Sequence, residues 1–224
     1  MVFDTLVAEF PFLLRGLWIG IQLLAALLTL GFVLGLALSV MSIYGHWTLR
    51  LFSVAFERVF RGIPEIVLLL LFFYGVGELI SLSPFVAAVI ALGLRSTAYQ
   101  AQIFRGAMQS VSGGEVMAAR ALGMSRLGAI WHIVLPQALR RSIGPWTNEY
   151  SAELKATSLA YVIGVVELTR QASYIVSNLQ GNTLTVFALV AAMYFVVNRL
   201  GNAGLYALER KMTIPGFEGR GTES

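Results

Sequence analysis

Apolar residues fill this chain in long runs, and the shorter stretches between them collect most of the charge. From Gly16 to Tyr44 no side chain is charged, and at about 1.5 Å per residue such a helix exceeds the roughly 30 Å of a bilayer's hydrocarbon core. A first membrane helix is expected over 13–44, tilted to fit its length. Gly16, Gly20, Gly31 and Gly35 include small residues four apart, a spacing that lets helices approach closely in lipid. His46 to Arg61 reads as a short amphipathic connection. A second helix is expected over 62–81, with Pro64 in its first turn, where proline is tolerated, and Glu65 just inside it. A third, over 84–108, contains Arg95 and ends at Arg105; both charges are costly in lipid and should face protein or water. The fourth, over 139–166, carries Glu149, Glu153 and Lys155, while Gly144, Pro145 and Gly164 mark it as bent or broken. The last, over 183–208, lies largely within the charge-free run from Gln171 to Asn198. The tail after Lys211, with Pro215, Gly216, Gly219 and Gly221, reads as a flexible end.

Composition points the same way. With 57% hydrophobic and 12% charged residues, the 224-residue chain is far more apolar than a soluble domain of its size, and an integral membrane protein is expected. There is no cysteine, and the two histidines, His46 and His132, are isolated, so neither a thiolate nor a histidine metal site is expected. The net charge of +4 sits in the connections. Arg50, Arg58 and Arg61 in the first, Arg105, Arg120, Arg126, Arg140 and Arg141 in the central one, and Arg210, Lys211 and Arg220 in the tail mark one side as cytoplasmic. Five spans then put the N-terminus outside and the C-terminus inside. Met1 to Phe12 carries Asp4 and Glu9 and no basic region, so a cleaved signal peptide is not expected.

The central connection, 112–136, is a moderately polar island. Glu115 to Leu122 has few helix breakers, Gly123 interrupts, Ser125 can cap a second helix, and Pro136 marks a boundary. Helix, turn, helix is expected, with Ala118, Ala119 and Ala121 allowing another surface to approach.

Those residues resemble the EAA loop of ABC-importer membrane subunits. Ala118, Ala119, Gly123, Ile133, Leu135 and Pro136 fall in register with the family's pattern, whereas Met117 stands where the family usually has Glu and Glu115 lies two residues early. Arg61-Gly62-Ile63-Pro64 is similar to a signature of the polar amino acid permeases. So is Ala98 to Gly106, with Gln102 in place of a Glu, and so are Asn148-Glu149, Leu154-Lys155 and Thr157-Ser158-Leu159. The chain is identified as resembling the histidine/glutamine/arginine permease branch. That resemblance implies an all-α integral membrane protein of MetI-like permease fold, with five transmembrane helices and a cytoplasmic coupling helix. The whole chain, 1–224, would be one permease domain and half of a dimeric pathway in a prokaryotic inner membrane. It further implies two ATPase subunits, a second permease half, identical or paralogous, and an extracytoplasmic substrate-binding protein. Glu115, Ala118, Ala119, Gly123 and Pro136 would serve ATPase coupling.

No P-loop can form here: the only lysines, Lys155 and Lys211, precede Ala156 and Met212, so ATP and magnesium belong on the partner ATPase. A zwitterionic cargo needs donors for its carboxylate and acceptors for its ammonium, and a cationic side chain adds a demand for carboxylates. Asn148, Glu149 and Glu65, with Gly62 and Pro64 beside the latter, are the candidate substrate residues, leaning to arginine, lysine or histidine, with neutral or acidic polar amino acids as the alternative. Asn148 and Glu149 are expected to border one cavity. Glu65, Arg95, Glu153 and Lys155 are open to a second reading, as structural ion pairs between helices, and Tyr99 reads as a packing or interface residue. A membrane-embedded enzyme or channel is the alternative class; no nucleophile elbow and no filter-like repeat support it.

Overall fold

The computed structural model describes residues 2–111, 113–178 and 183–212; the expected flexible tail lies outside them. The described residues are helical nearly throughout, in the order α1 (Val2–Tyr44), α2 (Trp47–Gly62), α3 (Glu65–Leu70), a π-helical stretch (Leu71–Val76), α4 (Gly77–Ile80), α5 (Pro84–Gln109), α6 (Gly113–Ala121), α7 (Arg126–Ala129), a second π-helical stretch (Ile130–Val134), α8 (Leu135–Ala156), a 3-10 segment (Thr157–Ile163), α9 (Leu168–Asn178) and α10 (Thr183–Met212). Two of them, α1 over Ala8–Tyr44 and α10, are long and apolar enough to cross a membrane; a third crossing results if α2 and the Glu65–Ile80 run act as one bent span.

α1 is the axis of the fold, and its main partner is α5. Two glycines set that contact. A Cβ on Gly31 would run into the side chains of Ser96 and Gln100, and one on Gly35 would lie 2.9 Å from the backbone nitrogen of Ala101. Without side chains there the two backbones approach, which is how helices gain packing energy in lipid, where burial of apolar surface gives little. Gly16 makes a similar approach to Glu167 and Gln171, whereas Gly20 does not. The seam is tied by Gln100, whose Nε2 donates to Ser96 Oγ at 3.0 Å and to the Leu28 carbonyl at 3.3 Å, while Trp146 Nε1 of α8 donates to its Oε1 at 2.7 Å. A fully buried amide in an apolar span needs such saturation.

Three apolar clusters follow from these contacts. Leu23 and Leu27 of α1 meet Leu68, Ala88 and Leu92; Phe104 and Met108 of α5 meet Ile130, Val134 and Ala138; Leu13 meets Leu168, Ile175, Val186 and Val190. α10 is held to α8 by Ser151 and Asn202, whose side chains exchange hydrogen bonds, and by Tyr150 donating to the Val197 carbonyl at 3.1 Å. α9 begins on a buried carboxylate: Glu167 accepts from the backbone nitrogens of Thr169 and Arg170, both at 2.9 Å, and from Tyr194 at 2.8 Å. This satisfies amides that the helix start would otherwise leave bare.

The local structure departs from expectation in four places. The single helix expected over 62–81 is divided by the π-helical stretch at 71–76. The helix expected over 139–166 runs intact through Gly144 and Pro145; its break comes later, in the 3-10 segment and at Gly164, which has φ +97°. Pro136 does not end a helix. It lies in the first turn of α8, which continues directly from the second π-helical stretch, and the first turn is where a missing N–H costs little. The first helix, expected over 13–44, begins already at Val2.

Candidate functional site

The candidate substrate residues converge on a break. α2 ends at Gly62, Ile63 and Pro64 are extended, and the Glu65–Ile80 run leaves at 102° to α2. Proline forces this locally, because its ring excludes a helical conformation at Ile63 and it has no N–H to continue the ladder. Gly62 and Pro64 stand exposed at the corner, and a Cβ on Gly62 would meet nothing within 4 Å. Glu65 is the first residue after the corner.

Four helices meet here: α2 brings Arg61, α3 Glu65, α5 Arg95 with Tyr99 one turn on, and α8 Glu149 with Glu153 one turn on. From α5, Arg95 Nη2 lies 2.6 Å from Glu65 Oε1, and Nη1 donates to Glu153 Oε1 of α8 at 3.1 Å. Its guanidinium also covers the ring of Tyr99, 4.5 Å from the centroid, and Arg61 of α2 covers the same ring at 4.9 Å. Two cations on one ring exploit its negative face, so Tyr99 does more than pack. Glu149, one turn before Glu153, is buried, and the two carboxyls face each other within hydrogen-bond reach. Among the described residues nothing donates to Glu149 Oε1 or Glu153 Oε2. The site therefore has three carboxyl groups, two guanidinium groups, and two buried carboxyl oxygens with no donor.

The expected residues do not all gather. Asn148 stands exposed while Glu149 is buried, because adjacent helical positions point about 100° apart, so the two do not border one cavity within this chain. Lys155 is likewise exposed, outside the network. Arg95 and Glu153 form the interhelical ion pair that the second reading described, and Glu65 joins them. Arg61 and Tyr99 belong to the site but were not expected there; for Tyr99 the signal was its place four residues after Arg95 on α5, whereas Arg61 lies across the corner from Glu65 and no helical spacing points to it.

The loop between α5 and α8 forms a second candidate surface. α6 ends in a left-handed turn at Gly123, with φ +88°; Met124 N donates to Ala119 O at 3.1 Å and Gly123 N to Arg120 O at 3.0 Å. These are the paired closing bonds of a Schellman cap, which require a residue tolerant of positive φ. Ser125 Oγ then accepts from Gly128 N at 3.0 Å and starts α7. Glu115 accepts from Gln137, and Arg141 donates to Gln137 and Ser110, so α6 is anchored to the base of α8. Ala119 is buried beneath the loop and Ala118 faces out. On the same loop Met117, Leu122, Leu127 and Trp131 are all at least 65% exposed. Four large apolar side chains on a charged loop mark a contact surface.

Comparison with known proteins identifies the family. Residues 7–214 match the family described as binding-protein-dependent transport system inner membrane component. The chain is 36% identical over 213 residues to the glutamine transport system permease protein GlnP of Escherichia coli K12, covering 91% of this chain and 94% of that protein. It is 34% identical over 199 residues to the octopine transport system permease protein OccM of Rhizobium radiobacter, covering 84% and 81%. Among solved structures, an amino acid ABC transporter with histidines superposes with a TM-score of 0.83 at 32% identity, covering 93% of this chain and 98% of that one. An inward-facing MetNI methionine ABC transporter superposes with a TM-score of 0.80 at 22% identity, covering 91% and 97%, which shows the MetI-like permease fold. The chain belongs to the polar amino acid permease family of binding-protein-dependent ABC transporters, as an inner-membrane, multi-pass transport subunit that is not itself a catalyst.

Proposed function

We propose that this chain is half of the translocation pathway of an ATP-driven importer for polar amino acids, and that its preferred cargo carries a positive side chain. The relatives named for glutamine, octopine and histidine support a polar amino acid; they do not select its charge. The observation that carries the charge preference is Glu149, a buried carboxyl with one oxygen lacking a donor, which brings the network of Glu65, Glu153, Arg95 and Arg61 to three carboxyls against two guanidinium groups. A buried anion in that position is stabilised by an incoming cation. Glu65, at the corner made by Gly62 and Pro64, is the acceptor nearest the broken backbone. Asn148, on the neighbouring face of α8, offers an amide toward the second permease half.

The five crossings in this reading are α1, the run from Glu65 to Ile80, α5, α8 and α10, with α2 as the connection before the second. The N-terminus is outside and the loop of α6 and α7 and the C-terminus are cytoplasmic, as the distribution of Arg and Lys favours. That loop receives the ATPase dimer, which carries the ATP and magnesium. Met117, Ala118 and Leu122 make the contact, and Glu115, Ala119, Gly123 and Pro136 hold its shape. An extracytoplasmic binding protein delivers the amino acid from the other side.

The test is uptake by the purified complex in liposomes. Arginine, lysine or histidine should compete best in a panel of amino acids, and Glu149→Gln should lower uptake of the preferred cation about tenfold or more while basal ATP hydrolysis persists. Preferential competition by glutamine or glutamate would remove the charge preference and leave the permease reading standing. Failure of Glu149→Gln to assemble would make that carboxylate structural.

A further inference from the structure

The geometry points to a second site on this chain: a phosphate-binding pocket on the arginine face of α2, with the headgroup of an anionic phospholipid as its ligand. It adjoins the cargo site at Arg61 but takes its ligand through Arg50 and Arg58, which are no part of that site, and does not depend on which amino acid is carried. A cavity of about 330 Å³ opens between α1, α2 and α5, reaching from Ser42 near the end of α1 to Gln109 at the end of α5. Ends of long apolar helices lie at the height of the headgroups. The cavity is lined by four arginines, Arg50, Arg58, Arg61 and Arg105, and one carboxylate, Glu57.

Their pairing decides what the pocket takes. Glu57 is buried and committed to Arg105, whose Nη1 donates to it at 2.6 Å. Arg61 lies over the ring of Tyr99. Arg50 and Arg58, two turns apart on the same face of α2, are exposed and have no partner among the described residues. The cavity therefore carries excess positive charge, and guanidinium groups match phosphate oxygens with paired, charge-assisted hydrogen bonds. The fixed Glu57–Arg105 pair holds α2 against α5, so the cavity is built before the ligand arrives.

A lipid is favoured over a free anion by the rest of α2. Trp47, Leu51, Phe52 and Val59 are more than half exposed, giving the helix a broad apolar surface beside the arginine face. Acyl chains can lie on that surface while the headgroup occupies the cavity, the arrangement by which basic pockets between membrane helices hold anionic lipids.

The experiment uses the complete importer in nanodiscs of phosphatidylcholine with a defined fraction of phosphatidylglycerol, extracted into detergent for native mass spectrometry. Wild type should retain phosphatidylglycerol, and R50Q/R58Q should retain roughly tenfold less with phosphatidylcholine unchanged. Arginine modification by phenylglyoxal gives a second readout on the unaltered protein. Phosphatidylglycerol vesicles should protect Arg50 and Arg58, and phosphatidylcholine vesicles should not. Protection by millimolar inorganic phosphate alone, with none from phosphatidylglycerol, would keep the phosphate site and overturn its lipid ligand. Equal retention by wild type and R50Q/R58Q, or no protection by either phosphate source, would overturn the site.

Discussion

Arg95→Gln should separate the sealed half of the charge network from its open half. Arg95 is shared between Glu65, whose side chain is 33% exposed, and Glu153, whose side chain is 0% exposed. A pair open to water contributes about 0.2–1 kcal/mol, whereas removing one partner of a buried pair costs about 3–5 kcal/mol because a charge is left stranded. Arg95→Gln strands Glu153 next to Glu149 and should cost about 3–5 kcal/mol. Glu65→Gln gives up only the open pair and should cost about 1 kcal/mol or less. Glu153→Gln leaves Arg95 paired with Glu65 and removes one of two facing carboxyls, so it too should stay near 1 kcal/mol, and adding it to Arg95→Gln should restore most of the loss. Unfolding of the detergent-solubilised chain against added SDS, followed by tryptophan fluorescence, measures the series. The reasoning fails if Arg95→Gln lies within about 0.5 kcal/mol of wild type, or if Glu65→Gln is the costlier change.

Two other substitutions test the glycines. Gly123→Val forces a branched side chain into a left-handed turn, which costs on the order of 1–2 kcal/mol, and should weaken co-purification of the ATPase while the chain still inserts; undiminished co-purification would remove the turn from the docking surface. Gly35→Ala pushes its Cβ against the backbone of Ala101, which cannot rotate away, and should cost about 1–3 kcal/mol; Gly20→Ala, whose Cβ meets only Thr157 Oγ1 at 4.0 Å, should cost less in the same SDS titration.

What the sequence makes legible is local. The charge-free run of α1, the Ser125 cap, the Gly123 turn and the corner before Glu65 are each encoded within a few neighbouring residues, and their spacing carries the physics. Glu149 and Glu153 can be read as sharing a helix face, but not which helix that face meets. That choice depends on α8 packing against α5, and it separates Glu153, which reaches Arg95, from Lys155, which stays exposed. Pro145 reads as a break only while its helix is considered alone. In the fold α8 passes through it and is held against α10 at Gly144, Tyr150 and Ser151. Gln100 is the instructive omission, since an uncharged polar residue in an apolar run looks harmless until two other helices are found bonded to it.

The double attachment of Arg95 also sets an order in time. During synthesis Glu65 leaves the ribosome before Arg95, but Glu153 follows it by 58 residues, which at about 5–20 residues per second is a wait of about 3–12 s. An arginine entering a bilayer alone meets an insertion penalty of about 2.5–3.5 kcal/mol. Glu65, already made and standing just after the corner, is the counter-ion on hand, and α1, uncharged from Gly16 onward, can wait in lipid for α5 without one. The exposed ion pair thus acts as an escort for α5 into the membrane, and the buried pair replaces its protection once α8 is made. A ribosome stalled between α5 and α8 should hold a nascent chain whose insertion depends on Glu65, although the finished fold depends on it little.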